Sequence, residues 1–528
     1  MAYSNKPNWR QVLDGVKEAG SITAYSKAIG HKRRIVSYWY HQALMSQDNQ
    51  KLMEAVGHFE KKTYVVTSAQ IGTPVNKEFL RNLETFAEHH DAEIIIPGIT
   101  YNTNGSDWAG GLGDAEKKVQ ACHYDKAIQK YLMNDRLKLN EKVEVLGNMN
   151  SLPTTVNPIS GYQTFTGEKS AIIPHPKVCL ESVPTRPGKL AKMLLTTGSV
   201  TEPNFIQKNA GIKAEFHHQL GAVVVEIING KQFHMRHILG EDGGSFYDLT
   251  DRYEQGLVTT GHRVDAIVWG DIHHISLNDT VAQANWFGDS PLVDLLKPRF
   301  QVFHDTLDFR VRNHHNRGDQ LFMKKMCTES VPDELKNAGL FLHATQREWC
   351  QSVVVKSNHD DALDRWVKEV SHFDEPNLEN ATFLLEMQHA MHKATLQNRE
   401  LDLFEWQANV LTKKKNLNRT RFLKRDESFT VNGIECGMHG DIGLNGARAT
   451  PKSFMKIGIK ASTGHTHSAA INEGVYTAGC CCELDQGYNK GPSSWSHSQI
   501  IHYPNGRRTI LTNINGDYYN RNFPEATV

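Results

Sequence analysis

The sequence predicts an α/β protein of mixed sheets flanked by helices, preceded by a small helical N-terminal unit. Three observations predict it. From Lys61 onward, short runs rich in Val, Ile and Phe alternate with helical periods, the pattern of strands joined by crossover helices. Five such runs in the C-terminal half each end in Asp, Asn or His, at the sheet edge where open α/β folds place their ligands. The first 58 residues carry no strand pattern, only amphipathic helical turns.

Taken in order, the helix Trp9–Glu18 carries Val12, Leu13 and Val16 on one face. Gly20-Ser21 supplies a turn and cap, and a second helix covers Ile22–Ile29. A third helix over Lys32–Leu44 begins with Lys32, Arg33 and Arg34. The three have the form of a helix-turn-helix, in which those cations would meet DNA at the start of the groove helix; a three-helix docking bundle is the other reading. Residues 59–262 read as an α/β region. A βαβ unit is built from Tyr64–Thr67, Asn76–His89 and Ala92–Pro97. A loop over Thr100–Gly113 and a helix over Ala115–Asn134 follow. Strands then fall at Val143–Leu146, Ala171–Ile173, Lys192–Leu195 and Ala222–Ile228, with Asn229-Gly230 turning the last into Lys231–Ile238. His217-His218, His234 and His237 are expected as core or surface histidines, and Gly240–Ser245 as a turn.

Residues 263–528 hold the chemistry. Ala266–Trp269 leads to Asp271 and His273, Gln301–His304 to Asp305, and Ser352–Val355 to Asn358, His359 and Asp360. Ile434–Met438 leads to His439, and Phe454–Ile459 to His465 and His467 behind Gly464. Imidazole, amide and carboxylate donors delivered to one edge suit a transition metal or zinc better than calcium. The bland alternative is polar residues capping strand-end turns. His497–Tyr503, turned at Asn505-Gly506 into Thr509–Ile514, closes the half.

Lys+Arg and Asp+Glu both total 59, so no global basic field announces nucleic acid, although local patches remain open. Met1–Pro7 is too polar for a secretory signal and the run Leu220–Ile228 is too short for a membrane span, so a soluble cytoplasmic protein is expected, with no membrane partner. Eight cysteines without a Cys-x-x-Cys pair suggest reduced thiols, and Cys480-Cys481-Cys482 reads as buried small residues.

The ordered series Asp271-x-His273, Asp305, Asn358-His359-Asp360, His439 and Gly464-His465-Thr466-His467 resembles the calcineurin-like metallophosphoesterase superfamily, including its double-strand-break-repair nuclease branch. His304 and Ser357 stand where that family usually has glycine. The resemblance implies a β-sandwich of mixed sheets flanked by helices. It also implies two divalent ions, Mn²⁺ foremost with Fe, Zn²⁺ or Mg²⁺ as alternatives. Asp271, His273 and His467 would hold one ion, Asn358, His439 and His465 the other, with Asp305 between them. Such a pair activates a hydroxide for in-line attack on a phosphodiester. His359 would stabilise the leaving oxygen, with Asp360 orienting its other nitrogen. His439–Trp495 also resembles phage-encoded members, so an early phage nuclease degrading host DNA in the host cytoplasm is the expectation, acting as a homo-oligomer. Arg310, Arg312 and Arg317, together with Lys413, Lys414 and Lys415, are candidate DNA contacts or simply solvated charges. Alternatives are a phosphomonoesterase or small-molecule phosphodiesterase, and a DNA-binding regulatory or scaffold protein with a vestigial site.

Overall fold

A computed structural model describes residues 9–30, 36, 40, 62–101, 123–412 and 416–520. The chain divides into two compact units, residues 1–61 with 228–231, and residues 62–227 with 232–528.

In the first unit, helix Trp9–Glu18 is followed by Ile22–Ala28, whose cap is Ser21: its hydroxyl accepts the N–H of Ala24 at 3.1 Å. Val12 and Val36 are buried against Leu13, Ile22, Tyr25 and Ile29. The start of the expected third helix, with Lys32, Arg33 and Arg34, lies outside the described residues.

The second unit is mixed α/β. Its six-stranded sheet runs in the order Thr420–Phe422, Gln351–Val354, Phe300–Phe303, Ala266–Val268, Ser498–His502, Arg508–Thr512. The first four strands are parallel, Ser498–His502 runs antiparallel to them, and Arg508–Thr512 runs antiparallel to Ser498–His502. The alternation of side chains along a strand separates two cores. Ala266, Val268, Val302, Val353 and Ile500 pack with Val145, Ile172, Leu195 and Ile471 of a ten-stranded mixed sheet, joined by Val66 and Val225 of a four-stranded one. Ile267, Trp269, Phe303, Ile501 and Leu511 face the other way, into a layer that includes the helices Val331–Thr345, Asn358–Glu369, Leu378–Leu396 and Leu403–Leu411. Residue 262 falls inside this unit. The ten-stranded sheet takes Arg136–Lys138, Val143–Leu146, Ser170–Ile173, Cys179–Val183 and Lys192–Thr196 from before it, and five strands between Thr430 and Thr477 from after it.

Local signals account for the elements. Helix Lys77–His90 starts where Asn76 accepts the N–H of Phe79 at 2.8 Å, buries Phe79, Leu83 and Phe86 on one face, and stops at Asp91 in the left-handed region. The strand pair Gly221–Ile227 and Phe233–Leu239 is antiparallel as expected of a hairpin, but Ile227 stands opposite Phe233, one residue off the register a two-residue Asn229-Gly230 turn would give. Two expected elements differ. The helix over Ala115–Asn134 is replaced, among the described residues, by a short 3₁₀ helix at Lys126–Tyr131 capped by Asp125. Phe454–Ile459, expected as the strand ahead of His465, instead forms part of a 3₁₀ helix at Pro451–Ile457. Pro451 favours that helix start, and Gly458 ends it at φ 73°. The strand that delivers His465 is Ala461–Thr463.

Candidate metal centre

Five turns converge at the edge where the parallel strands end. After Ala266–Val268, Gly270 passes so close to Gly479 and Cys480 that a β-carbon would lie 2.6 Å from their backbone. This contact lets the Asp271 N–H donate to Gly479 O at 3.1 Å and the Cys481 N–H donate to Asp271 O at 2.7 Å. Across the next strand the His273 N–H donates to Asp305 O at 2.7 Å. His273, Asp305, His465 and His467 all occupy the left-handed region, at φ 42°, 44°, 73° and 57°. Non-glycine residues rarely adopt it, and here it turns each side chain back over the sheet edge.

The side chains form two groups of mutually close donor atoms. One contains Asp271, His273, Asp305 and His467; the other contains Asp305, His439 and His465, so Asp305 belongs to both. In the first, His467 Nε2 stands 3.0 Å from Asp271 Oδ2 and 3.0 Å from His273 Nε2. In the second, His439 Nε2 stands 3.1 Å from Asp305 Oδ2 and 3.0 Å from Asn358 Oδ1. Bonds of about 2.0–2.2 Å to one ion would place neighbouring ligand atoms ~3 Å apart, so the spacing suits a cation. The orphaned atoms agree: Asp305 Oδ1 is buried without a hydrogen-bond partner, and Asp271 Oδ2 meets only the His467 ring. Burial works against charge at both carboxylates. It is outweighed by His467 at Asp271 and by His439 and His359 at Asp305, so both stay well below the usual carboxylate range. Burial likewise opposes charge on His273, but Asp308 and Asp305 push it up to about 10.

The supporting atoms fall differently from expectation in one respect. Asp360 does not orient His359. It is the third residue of helix Asn358–Glu369, and its Oδ2 accepts the Ser357 N–H at 2.9 Å in a capping box. His359 Nδ1 instead meets the backbone carbonyl of Asp308. The Asp308 carboxylate lies 3.7 Å from His273 Nδ1, the nitrogen pointing away from the centre. His304, where the resembled family has glycine, faces His439 with its Nδ1 3.4 Å from that of His439.

Sequence reasoning missed Asp308, which follows Asp305 by three residues in the turn. Cys480 and Cys482, read from the sequence as buried small residues, are buried, and their thiols also come within ligand reach of His467. Adjacent cysteines alternate sides, but these two are two residues apart and share one. Burial raises the Cys482 thiol, while the Cys480 thiol and the nearby His467 and His273 pull it down to about 7. His89, His90 and Asp251 form a further group of close donors, although both rings already engage the Tyr253 hydroxyl at 2.8 Å each.

Among the expected DNA contacts, Arg312 is corrected. It is buried, gives its Nε and Nη2 edge to Glu375 at 2.8 and 2.7 Å and donates from Nη1 to Met326 O at 3.4 Å, so it has no exposed face for a phosphate. Arg310 donates to Gln486 at 3.1 Å, and Arg317 pairs with Glu369 at 2.8 Å, both partly exposed. Lys413, Lys414 and Lys415 lie outside the described residues. No helix among the described residues is long and apolar enough to cross a membrane.

Fold and site together define a mixed α/β protein with a buried Asp and His cluster able to bind metal ions. No protein-family model matches the chain. It is 38% identical over 471 residues to Protein A1 of Escherichia phage T5, covering 87% of this chain and 83% of that protein. The chain belongs to the family of that phage protein.

Proposed function

We propose that the protein is a two-metal phosphodiesterase of the calcineurin-like metallophosphoesterase type, and that it cuts DNA. The observation that carries this reading is Asp305, one carboxylate shared by two groups of ligand atoms, with His359 beside them. Asp271, His273 and His467 would hold one ion, and Asn358, His439 and His465 the other. Bound there, a pair of ions such as Mn²⁺ supplies an activated water and neutralises phosphoryl oxygens.

The chain's own residues do the rest. His359 has one nitrogen held by the Asp308 carbonyl, which leaves Nε2 to meet the leaving oxygen of a bound ester. Its ring centroid lies 4.7 Å from that of His273, so the contacted oxygen would sit at the edge of the ligand cluster. Arg310 and Arg317 would hold a flanking phosphate, and the N-terminal helices would bind the duplex. Membership in a phage protein family fits an early protein that degrades host DNA, working in the host cytoplasm as a homo-oligomer.

The test is digestion of linear, circular and single-stranded DNA by purified protein with Mn²⁺, Mg²⁺, Zn²⁺ or EDTA, beside a p-nitrophenyl phosphate control and His359→Ala. Manganese-dependent DNA cleavage lost in His359→Ala is the expected result. Turnover of the small ester alone would move the protein to the phosphatase class, and turnover of neither would leave a binding protein.

A further inference from the structure

A groove of about 730 Å³ lies in the second unit, and none of the proposed ligand residues lines it. Strand Ala461–Thr463 separates the two: Gly464 and His465 follow its C-terminal end, whereas Lys460 at its N-terminal end lines the groove. The volume is in the range of small-molecule sites.

Four acids and four cations line the groove, but the cations Lys460, Arg507 and Arg508 gather at one part of it. Arg508 is buried in its floor, yet its partners are neutral. Nη1 donates to Ala461 O at 2.6 Å and Ser462 Oγ at 2.9 Å, Nη2 donates to Gly474 O at 2.7 Å, and the guanidinium lies 4.0 Å from the Tyr476 ring centroid. Its charged neighbours are cations: Arg507 precedes it, and Lys460 makes no ion pair among the described residues. Arg507 donates to Gln219 Oε1 at 3.0 Å and has one carboxylate, the fully exposed Asp242, at 3.6 Å. Of the other acids of the groove, Glu473 pairs with Lys177 at 2.8 Å, and Glu202 and Glu215 accept from the neutral amides of Asn76 and Gln207; none of them pairs with Lys460, Arg507 or Arg508 among the described residues. Burying a guanidinium without a counter-charge is costly, and an anion bound beside it would offset that cost. Burial lowers Arg508 to about 10, so it stays charged at neutral pH.

A second feature bears on what the anion is attached to. Phe216, the last residue of helix Asn209–Phe216, lines the same groove with 84% of its surface exposed. An aromatic ring left in water at the rim of a groove that holds such a cation group offers a stacking face to a planar base.

We propose that this groove binds a mononucleotide, with its phosphate on Lys460, Arg507 and Arg508 and its base against Phe216. The site is independent of the metal centre and of any reaction there. The test is calorimetric titration of the full chain in EDTA with deoxyadenosine monophosphate, inorganic phosphate and deoxyadenosine. Saturable binding of the nucleotide is expected. Lys460→Ala should weaken nucleotide and phosphate alike, by about tenfold. Phe216→Ala should weaken the nucleotide by about tenfold and leave phosphate unchanged. Asp305→Asn should change neither. Absence of saturable nucleotide binding would overturn the proposal, as would binding undiminished in both Lys460→Ala and Arg507→Ala. Loss of binding in Asp305→Asn would place the ligand at the metal centre and overturn it equally. Lys460 and Phe216 both lie at the groove surface, so these variants should fold, and circular dichroism verifies that they do.

Discussion

The Asp271 carboxylate accepts the backbone N–H of His465 at 3.0 Å, tying the first ligand-bearing turn to the last, although 194 residues separate them. One oxygen is thereby fixed and the other left facing His467. The contact requires Gly464, because a β-carbon there would lie 2.3 Å from Asp271 Oδ1 and 3.0 Å from His304. Gly464→Ala should therefore lower metal affinity by about 10–100-fold while the far-ultraviolet spectrum is retained. Metal content by mass spectrometry after dialysis checks it, and full retention of metal would show that the turn can yield.

Asp305→Asn keeps the shape of the shared ligand but removes its charge. The expected outcome is more than ~100-fold loss of metal affinity, seen as reduced stoichiometry in calorimetry. Unchanged stoichiometry and affinity would mean that Asp305 is not shared.

Asp308 and Asp360 separate positioning from capping. Asp308→Asn should weaken metal binding by about 10–100-fold, because its carboxylate faces the outer nitrogen of His273. Asp360→Ala should cost about 1 kcal/mol in urea denaturation through loss of the helix cap and leave metal affinity near that of the native protein. The reverse pattern would restore Asp360 as the residue that orients the site.

Arg236 is buried between Glu226 at 2.7 Å and Asp248 at 2.6 Å. Removing it alone leaves two buried acids without a counter-charge, so Arg236→Met should destabilise by about 3–5 kcal/mol in urea denaturation. A loss below ~1 kcal/mol would show that both acids take up protons or water at little cost.

Glu334 sets a pH dependence. It is buried, its Oε1 accepts the Phe309 N–H at 2.6 Å, and burial with help from Asp308 raises its carboxyl to about 8. From the ordinary carboxylate value up to about pH 8 the folded chain holds this proton and the unfolded chain does not. Its contribution to stability therefore falls as pH rises through that window, by on the order of 2–4 kcal/mol. Glu334→Gln should flatten this part of the pH profile, as measured by denaturant midpoints from pH 5 to 8.5.

The strands were legible wherever β-branched residues run together, as in Ala266–Val268 and Gln351–Val354, because burial on both faces leaves an unbroken apolar run. The seven expected ligand residues were legible as strand-end polar residues, and the structure brings them to one place. Arg312 and Asp360 were misread because sequence shows a charge but not its partner. Glu375 lies 63 residues from Arg312, and the capping role of Asp360 depends on where helix Asn358–Glu369 begins. The strand before His465 was misplaced because six residues of apolar pattern fit a 3₁₀ turn as well as a strand, and Pro451 with Gly458 decided between them.

The left-handed turns at His273, Asp305, His465 and His467 set the proposed catalysis against resistance to unfolding. Each such residue costs roughly 1 kcal/mol or more that glycine or asparagine would not incur. A library of variants selected only for heat resistance should thus accumulate replacements at these four positions and arrive at a sturdier protein with an empty hand. Directed evolution of this chain would have to screen for the proposed chemistry at every round, since thermostability alone would select against the residues proposed to carry it.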